Sequence, residues 1–330
     1  MGATTQHEGT SWGPDVLGEG WESLTIPLPP DDQGDGAVAT LVRRTPRDGE
    51  EPTRRAVLYV HGYVDYFFQT HLGDALAAMG YAVYALDLRD HGRSIRDGRL
   101  PNYTTRLSVH AQELDRAARL VRDDGNDTLV VMGHSTGGLV TSLWADARRG
   151  RPGSGPDALV LNSPWLDLNR PWVDRVITTR VVDVLGRVAP RRRVGALGDA
   201  YGRWLSDPSG GGWEYDLTWK PHGGFGVRAG WLRSVRRAHA AVARGLDVEV
   251  PVLVCTSDAT GPRDRVHDAL DRTDSVLAVE HMWQRAPRLG RDVTVVRVPG
   301  GVHDLALSPE PARTVYLEAV RDWLERRLPG

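Results

Sequence analysis

The pattern Gly-x-Ser-x-Gly at residues 133–137 could supply a nucleophile. It directly follows the apolar run Leu129–Met132 and opens Gly137–Ala147, a stretch with helical spacing. A serine at a sharp strand-to-helix turn has crowded neighbours, and glycines two residues to either side leave room for that turn. The following helix directs its N-terminal N–H groups towards the same point. The sequence therefore predicts Ser135 as the nucleophile of a covalent mechanism.

Two backbone N–H groups are candidates for binding the oxyanion that forms when a serine attacks an acyl group. One belongs to Thr136, the residue after the predicted nucleophile. The other belongs to Tyr63, which follows the apolar run Ala56–Val60 and the pair His61-Gly62. Losing one such donor typically lowers the rate by ~10²–10³-fold. The sequence therefore predicts an oxyanion hole made by Tyr63 and Thr136.

Three stretches together resemble the α/β-hydrolase superfamily: residues 61–63 (His-Gly-Tyr), 87–94 (Asp-x-Arg-x-His-Gly-x-Ser) and 133–138 (Gly-x-Ser-x-Gly-Gly). They are most similar to lysophospholipase and monoacylglycerol-lipase-like hydrolases, which share a family with serine aminopeptidases. The resemblance runs from about Val57 to Trp323. It implies that the 87–94 stretch is structural, so its histidine is not the catalytic base.

The chain contains 11 histidines, so position must select the base that takes the serine proton. His303 lies in the glycine-rich stretch Val298–Asp304, after the last predicted strand and before the last predicted helix. In the fold that the resemblance implies, the order along the chain is serine, acid and histidine, and this loop ends beside the nucleophile turn. We therefore predict His303 as the base.

The acid that orients the histidine should follow the strand Val250–Thr256. Relatives commonly continue that strand with His-Gly-x-x-Asp, whereas Thr256-Ser257 takes the place of His-Gly here and the loop is longer. Asp274 best matches an aspartate that leads into a helix, predicted over Val276–Arg285. Asp258, close to the strand end, stays an alternative because it could also reach the histidine.

Aromatic residues suggest where a substrate would lie. Tyr63, which provides one predicted oxyanion N–H, and Tyr66, three residues later, are predicted to line the pocket, with Tyr66 and His134 as substrate-binding residues. Six of the 11 tryptophans fall between residues 165 and 248. This enrichment favours an apolar substrate, although a small core within that interval would need large apolar residues as well.

The elements that must position these residues alternate along the chain. Unbroken apolar strands that alternate with amphipathic helices predict a mostly parallel sheet covered on both faces, which is the α/β-hydrolase fold. The predicted strands are Trp21–Leu28, Gly36–Arg43, Ala56–Val60, Ala82–Leu88, Leu129–Met132, Ala158–Leu161, Val250–Thr256 and Val293–Val298. The predicted helices are Leu72–Met79, Val109–Val121, Gly137–Ala147, Val276–Arg285 and Glu310–Leu328.

This alternation divides the chain into a leader, a core and an insertion. We predict a flexible leader over residues 1–20 and an α/β core over 21–164 and 249–330. The interval 165–248 differs in composition, and we predict that it forms an inserted cap over the carboxyl edge of the sheet. Oligomeric state does not follow from the sequence.

Composition excludes several classes of protein. The formal net charge of −2 gives no electrostatic reason for binding nucleic acid or an anionic membrane. We expect no metal, because the Cys, His and carboxylate groups lack ligand spacing, and no cofactor. The N-terminus does not resemble a signal peptide and no run is long enough to span a membrane, so we expect a cytoplasmic protein.

Together these features predict a serine carboxylic ester hydrolase that acts through an acyl-enzyme on a small hydrophobic or lipid-like monoester. A serine aminopeptidase would need an anionic group in the cap for the substrate amine, and Glu214 or Asp216 could provide it. An acyltransferase would use the same three residues. A ligand-binding protein without activity would most simply lack one of them.

Overall fold

A nine-stranded sheet forms the centre of the protein in a computed structural model that describes residues 11–168, 183–263 and 265–328. Its spatial order is β1-β2-β3-β5-β4-β6-β7-β10-β11, and β8 and β9 form a separate two-stranded sheet. The strands are β1 Gly13–Pro14, β2 Trp21–Pro27, β3 Val38–Arg44, β4 Arg55–Val60, β5 Ala82–Asp87, β6 Thr128–His134, β7 Ala158–Asn162, β8 Arg193–Gly195, β9 Val227–Arg228, β10 Val252–Ser257 and β11 Val293–Val298.

The strands from β5 to β11 of this order pair in parallel, and only the edge formed by β1, β2 and β3 is antiparallel. The central strands are buried on both faces, which explains why their sequences are continuous apolar runs rather than alternating ones. The predicted α/β-hydrolase fold with a mostly parallel sheet is therefore confirmed.

Helices cover both faces of this sheet. They are α1 Thr70–Ala78, α2 His110–Asp123, α3 Thr136–Arg148, α4 Ala200–Ser206, α5 Ala229–Arg244, α6 Val279–Arg285 and α7 Ala312–Arg327, and residues 183–188 are helical as well. Alternate side chains of β4 point to opposite faces, as the period of a strand requires. Leu58 joins a core cluster with α2, α3 and α5, whereas Tyr59 joins one with α1 and α7.

The N-terminal residues differ from the predicted leader. Residues 1–10 lie outside the described residues, but Gly13–Pro14 pairs with β2, and Asp15 is buried in an ion pair with Arg93 at 2.7 Å. Within the predicted flexible leader, residues 11–20 therefore contain a short strand and a buried ion pair. Strand pairing and a buried carboxylate join this short segment to distant parts of the chain, and no local pattern indicates either contact.

The predicted insertion, residues 165–248, includes a helix that packs with the core. Trp231, Val235 and Val242 of α5 belong to the core cluster that contains Leu139 of α3. This helix therefore packs with the core, although the predicted insertion extends to residue 248. Residues 169–182 lie outside the described part of the chain.

The parallel strands end at one edge of the sheet, and the loops that follow them meet there. Ligands bind at this carboxyl edge in open α/β sheets. The nucleophile turn follows β6, the predicted oxyanion residue Tyr63 follows β4, and Asp274 and His303 follow β10 and β11. Within the described residues, no helix is both long and apolar enough to cross a membrane.

Candidate active site

Ser135 occupies a sharp turn between β6 and α3. Its backbone has φ +52° and ψ −116°, a conformation that L-residues rarely adopt. A side chain on Gly133 would lie 2.5 Å from Thr141, and one on Gly137 would lie 2.3 Å from the carbonyl oxygen of His61. Both glycines are therefore required by close packing, and the turn stores backbone strain at the site.

The structure brings Ser135, His303 and Asp274 into one chain of hydrogen bonds. The Ser135 hydroxyl lies 3.1 Å from Nε2 of His303, and Nδ1 of His303 lies 2.9 Å from Oδ2 of Asp274. All three residues are buried, with Asp274 fully inaccessible. A carboxylate on one ring nitrogen holds the other as an acceptor that faces the hydroxyl, which is the arrangement needed to remove the serine proton.

Asp274 is fixed by the backbone that follows it. Its Oδ1 accepts hydrogen bonds from the N–H groups of Val276 at 2.9 Å and Leu277 at 2.8 Å. These bonds form a tight turn, and as a result the next helix begins at Val279 rather than at the predicted Val276. Oδ2 is left to accept from the imidazole.

Asp258, the alternative acid, lies elsewhere. Its side chain is exposed, and Oδ1 accepts a hydrogen bond from the N–H of Gly300 at 3.1 Å. Asp258 therefore contacts the loop that leads to His303 but not the imidazole ring.

A second buried carboxylate, Asp304, directly follows the histidine and was not singled out from the sequence. Its Oδ1 accepts from the amide of Asn162 at 2.7 Å, and its Oδ2 accepts from the amide of Gln69 at 3.0 Å. The carbonyl of Asn162 also accepts the N–H of Ser135 at 3.0 Å. Asn162 therefore links the loops of nucleophile and base. The one sequence feature that could have identified Asn162 is its position at the end of the apolar strand β7.

Tyr63 and Thr136, the two predicted oxyanion residues, line the same cavity as Ser135. Neither the N–H of Tyr63 nor that of Thr136 donates to any described residue. Thr136 is the first residue of α3, where an N–H has no acceptor within the helix. A side chain on Gly62 would lie 3.1 Å from Cβ of Ser135, so residues 61–65, hereafter the oxyanion loop, approach the nucleophile closely.

A cavity of about 570 Å³ opens above these residues. Its apolar wall includes Trp165, Leu168, Leu185, Leu197, Trp231 and Leu232. His134 also lines it, and burial lowers the pKa of this histidine, which keeps the ring neutral near pH 7.

Tyr66, predicted to bind substrate, does not line this cavity. Its hydroxyl accepts the N–H of Asp216 at 2.7 Å, and its ring packs edge-on against Trp219 at 5.2 Å. Tyr63 does line the cavity, and its ring stacks on Trp231 at 3.8 Å. The chain turns between these two tyrosines, which sequence spacing alone does not reveal.

Two charged residues in the cavity wall, Asp65 and Lys220, were also not identified from the sequence. They form an ion pair with each other. The described residues contain no group of three or more His, Cys, Asp or Glu side chains that could hold a metal ion.

Known proteins resemble this chain along most of its length. A family model described as serine aminopeptidase, S33, matches residues 51–310. A monoacylglycerol lipase from Mycolicibacterium smegmatis is 28% identical over 284 residues, which cover 83% of this chain and 89% of that protein.

Solved structures show the same fold at lower identity. A monoglyceride lipase from Saccharomyces cerevisiae superposes with a TM-score of 0.66 at 17% identity, covering 92% of this chain and 96% of that one. A carboxyl esterase from Bacillus coagulans gives 0.67 at 16% identity, covering 93% and 98%. The resemblance predicted from the motifs is thus confirmed: the chain belongs to the serine aminopeptidase S33 family of α/β-hydrolases, and it is a hydrolase of the lipase and esterase type.

Proposed function

We propose that this protein is a serine carboxylic ester hydrolase that acts through an acyl-enzyme on a hydrophobic or lipid-like monoester. One observation carries the proposal. The Ser135 hydroxyl lies 3.1 Å from an imidazole whose other nitrogen lies 2.9 Å from a buried carboxylate, and Ser135 and His303 line the cavity.

The reaction begins when Oγ of Ser135 attacks the ester carbonyl while Nε2 of His303 takes its proton. Asp274 holds the ring orientation and stabilises the imidazolium that forms. The N–H groups of Tyr63 and Thr136 bind the oxyanion of the tetrahedral intermediate. His303 then gives its proton to the leaving alcohol. In the second half, the same imidazole activates a water molecule, which hydrolyses the acyl-enzyme.

The substrate class is supported by the cavity and by the relatives. The apolar wall suits an acyl chain, and 570 Å³ lies within the usual range for pockets that enclose a small molecule. The curated relative from Mycolicibacterium smegmatis is named a monoacylglycerol lipase, which is consistent with a lipid-like monoester. We further propose that the part of residues 165–248 that precedes α5 acts as a cap over the bound substrate.

An aminopeptidase is the second candidate because the matching family model carries that name. The predicted anchors for a substrate amine do not favour it. Glu214 and Asp216 are exposed and do not line the cavity. The cavity carboxylates Asp65 and Asp304 already accept hydrogen bonds from protein groups, so a substrate amine would have to displace one of these partners.

The test compares substrates on wild-type protein and on Ser135→Ala. We expect hydrolysis of nitrophenyl esters across a range of acyl lengths, covalent labelling by a fluorophosphonate probe, and loss of both in the variant by at least about 10³-fold. Faster release from aminoacyl anilides would instead identify an aminopeptidase. Preferential transfer to added alcohols would identify an acyltransferase.

A further inference from the structure

The cavity contains the only lysine of the chain. The protein has 41 lysine and arginine residues in total, and Lys220 is the single lysine among them. Its side chain is 16% exposed and its ammonium pairs with the carboxylate of Asp65, which is itself buried. The two partners come from different parts of the fold, because Asp65 follows β4 and Lys220 precedes β9.

Asp65 belongs to the oxyanion loop and interacts with its backbone. While Oδ1 accepts from Lys220, Oδ2 accepts from the N–H of Gly62 at 3.4 Å. Burial opposes ionisation of this carboxyl, but nearby positive charge, above all that of Lys220, outweighs burial and holds the pKa of Asp65 below its ordinary value. Asp65 is therefore an anion that depends on its partner, since an unpaired buried charge is unfavourable.

The oxyanion loop has a strained backbone at Val64. Val64 has φ +53°, which is unfavourable for a β-branched residue and persists only where surrounding contacts impose it. The side chain of Asn102 accepts the N–H of Val64 at 2.8 Å and so holds the loop from the core side. Contacts on the opposite side must prevent the loop from relaxing towards the cavity.

Residues 220–231, hereafter the covering segment, provide these contacts. Besides the Lys220 ion pair, the carbonyl of Gly226 accepts the Tyr63 hydroxyl at 3.2 Å, and the Trp231 ring stacks on Tyr63. A side chain on Gly224 would start only 3.0 Å from Val64. The ion pair is the one charged contact between loop and covering segment that the described residues provide.

We propose that Lys220 is a positioning residue that acts through Asp65 to align the Tyr63 N–H with the developing oxyanion. The inference rests on the proposed function, because it concerns the oxyanion hole of that reaction. Oxyanion stabilisation depends on donors fixed in advance, and a displacement of about 1 Å can lower a rate by about 10²-fold.

The test measures kcat and KM for an ester on Lys220→Met, Lys220→Arg and Asp65→Asn. We expect Lys220→Met to lower kcat by about 10–100-fold and to leave KM within about threefold, because the interaction acts on the transition state. Lys220→Arg keeps the charge and should restore most of kcat. A trifluoromethyl ketone, which forms a tetrahedral adduct with the serine, should bind more weakly to Lys220→Met in proportion to the lost kcat/KM.

A double-mutant cycle and a matched control complete the design. If both residues act through their pair, Asp65→Asn combined with Lys220→Met should be no worse than the more impaired single variant. Arg203→Met is the control, since Arg203 pairs with Asp199 in α4 and does not line the cavity. Thermal unfolding midpoints will show whether each variant is folded.

Three results would overturn the inference while leaving the esterase intact: wild-type kcat in Lys220→Met, a raised KM with unchanged kcat, or additive losses in the double variant. A raised KM would mean that Lys220 contacts the substrate instead. If wild-type protein neither hydrolyses esters nor labels at Ser135, the proposed function fails and this inference fails with it.

Discussion

The loop after β10 determines which carboxylate contacts the imidazole of His303. Asp258 directly follows this strand, yet it is exposed and binds the N–H of Gly300. Asp274 comes 16 residues later in the chain, but its backbone returns to pair with Ala259 and Gly261 through hydrogen bonds of 2.9 Å. Because the chain returns to the strand end in this way, Asp274 rather than Asp258 contacts the imidazole of His303.

Replacement of Asp274 by Asn should lower kcat/KM for an ester by about 10³–10⁴-fold, because the amide cannot stabilise the imidazolium and favours the wrong tautomer. Asp258→Asn is the matched control, and we expect it to cost less than about tenfold, since Asp258 acts only on the loop backbone. Steady-state kinetics on the same ester panel will compare the two. A larger loss for Asp258→Asn would disprove the assignment of the acid.

The turns that follow β4 and β6 approach each other so closely that Gly62 and Gly137 have no room for a side chain. Gly137 at the start of α3 packs on the carbonyl oxygens of His61 and Val60, and Gly62 packs on Ser135. Parallel neighbouring strands bring both turns to the same edge, where the oxyanion loop and the nucleophile turn form one wall of the site.

Gly62→Ala tests this close approach. The added methyl group would lie 3.1 Å from Cβ of Ser135 and 3.3 Å from the His134 ring, so loop and turn must separate by a few tenths of an ångström. We expect kcat to fall by roughly 10-fold or more, as small misplacements of catalytic groups do, with the unfolding midpoint little changed. Gly13→Ala, which has open space around it, is the control. Equal activity in both variants would argue against the close contact.

Across the whole molecule, a buried ionic network fixes the stretch at residues 87–94 behind the site. Arg89 pairs with Glu113 and, at 2.9 Å, with Asp31, and Arg99 pairs with Asp31 and Asp90 at 2.6 and 2.7 Å. These charges are buried, so each depends on its partners for compensation. The network joins the antiparallel edge of the fold to α2, which agrees with the structural role that the resemblance implied.

Glu113 links this network to acid stability. Burial alone would raise the pKa of Glu113, but His110 and Arg89 outweigh burial and lower it to about 2. Because the folded pKa lies below the unfolded value of 4.5, the ionised group stabilises the fold fully above that value. This contribution is lost as the pH falls from there through about 2.

Glu113→Gln should therefore unfold at lower urea concentration at pH 7, because Arg89 and His110 lose their charged partner. Its free energy of unfolding should also depend less on pH between about 5 and 3 than that of wild type, since the titrating group is gone. Urea titrations at several pH values will measure both effects. The exposed Glu19→Gln is the control, and an unchanged pH slope in Glu113→Gln would contradict the prediction.

The features of this protein that depend on local pattern could be predicted from the amino-acid sequence alone. The apolar strands, the glycines around Ser135 and the glycine-rich loop before His303 all express constraints between near neighbours, and the structure places them as predicted. Asp274 required more, namely comparison with the pattern of a family. Its hydrogen bonds to Val276 and Leu277 supply the physical basis for that pattern.

Which residues line the cavity depends on contacts between segments that are far apart in the chain. Tyr63 and Tyr66 are three positions apart, but one stacks on Trp231 in the cavity and the other packs on Trp219 outside it. Lys220 carries no motif, and it reaches the site because the covering segment returns over a loop that lies more than 150 residues earlier. Contacts between segments so far apart depend on how the chain closes over the sheet, which no local spacing encodes.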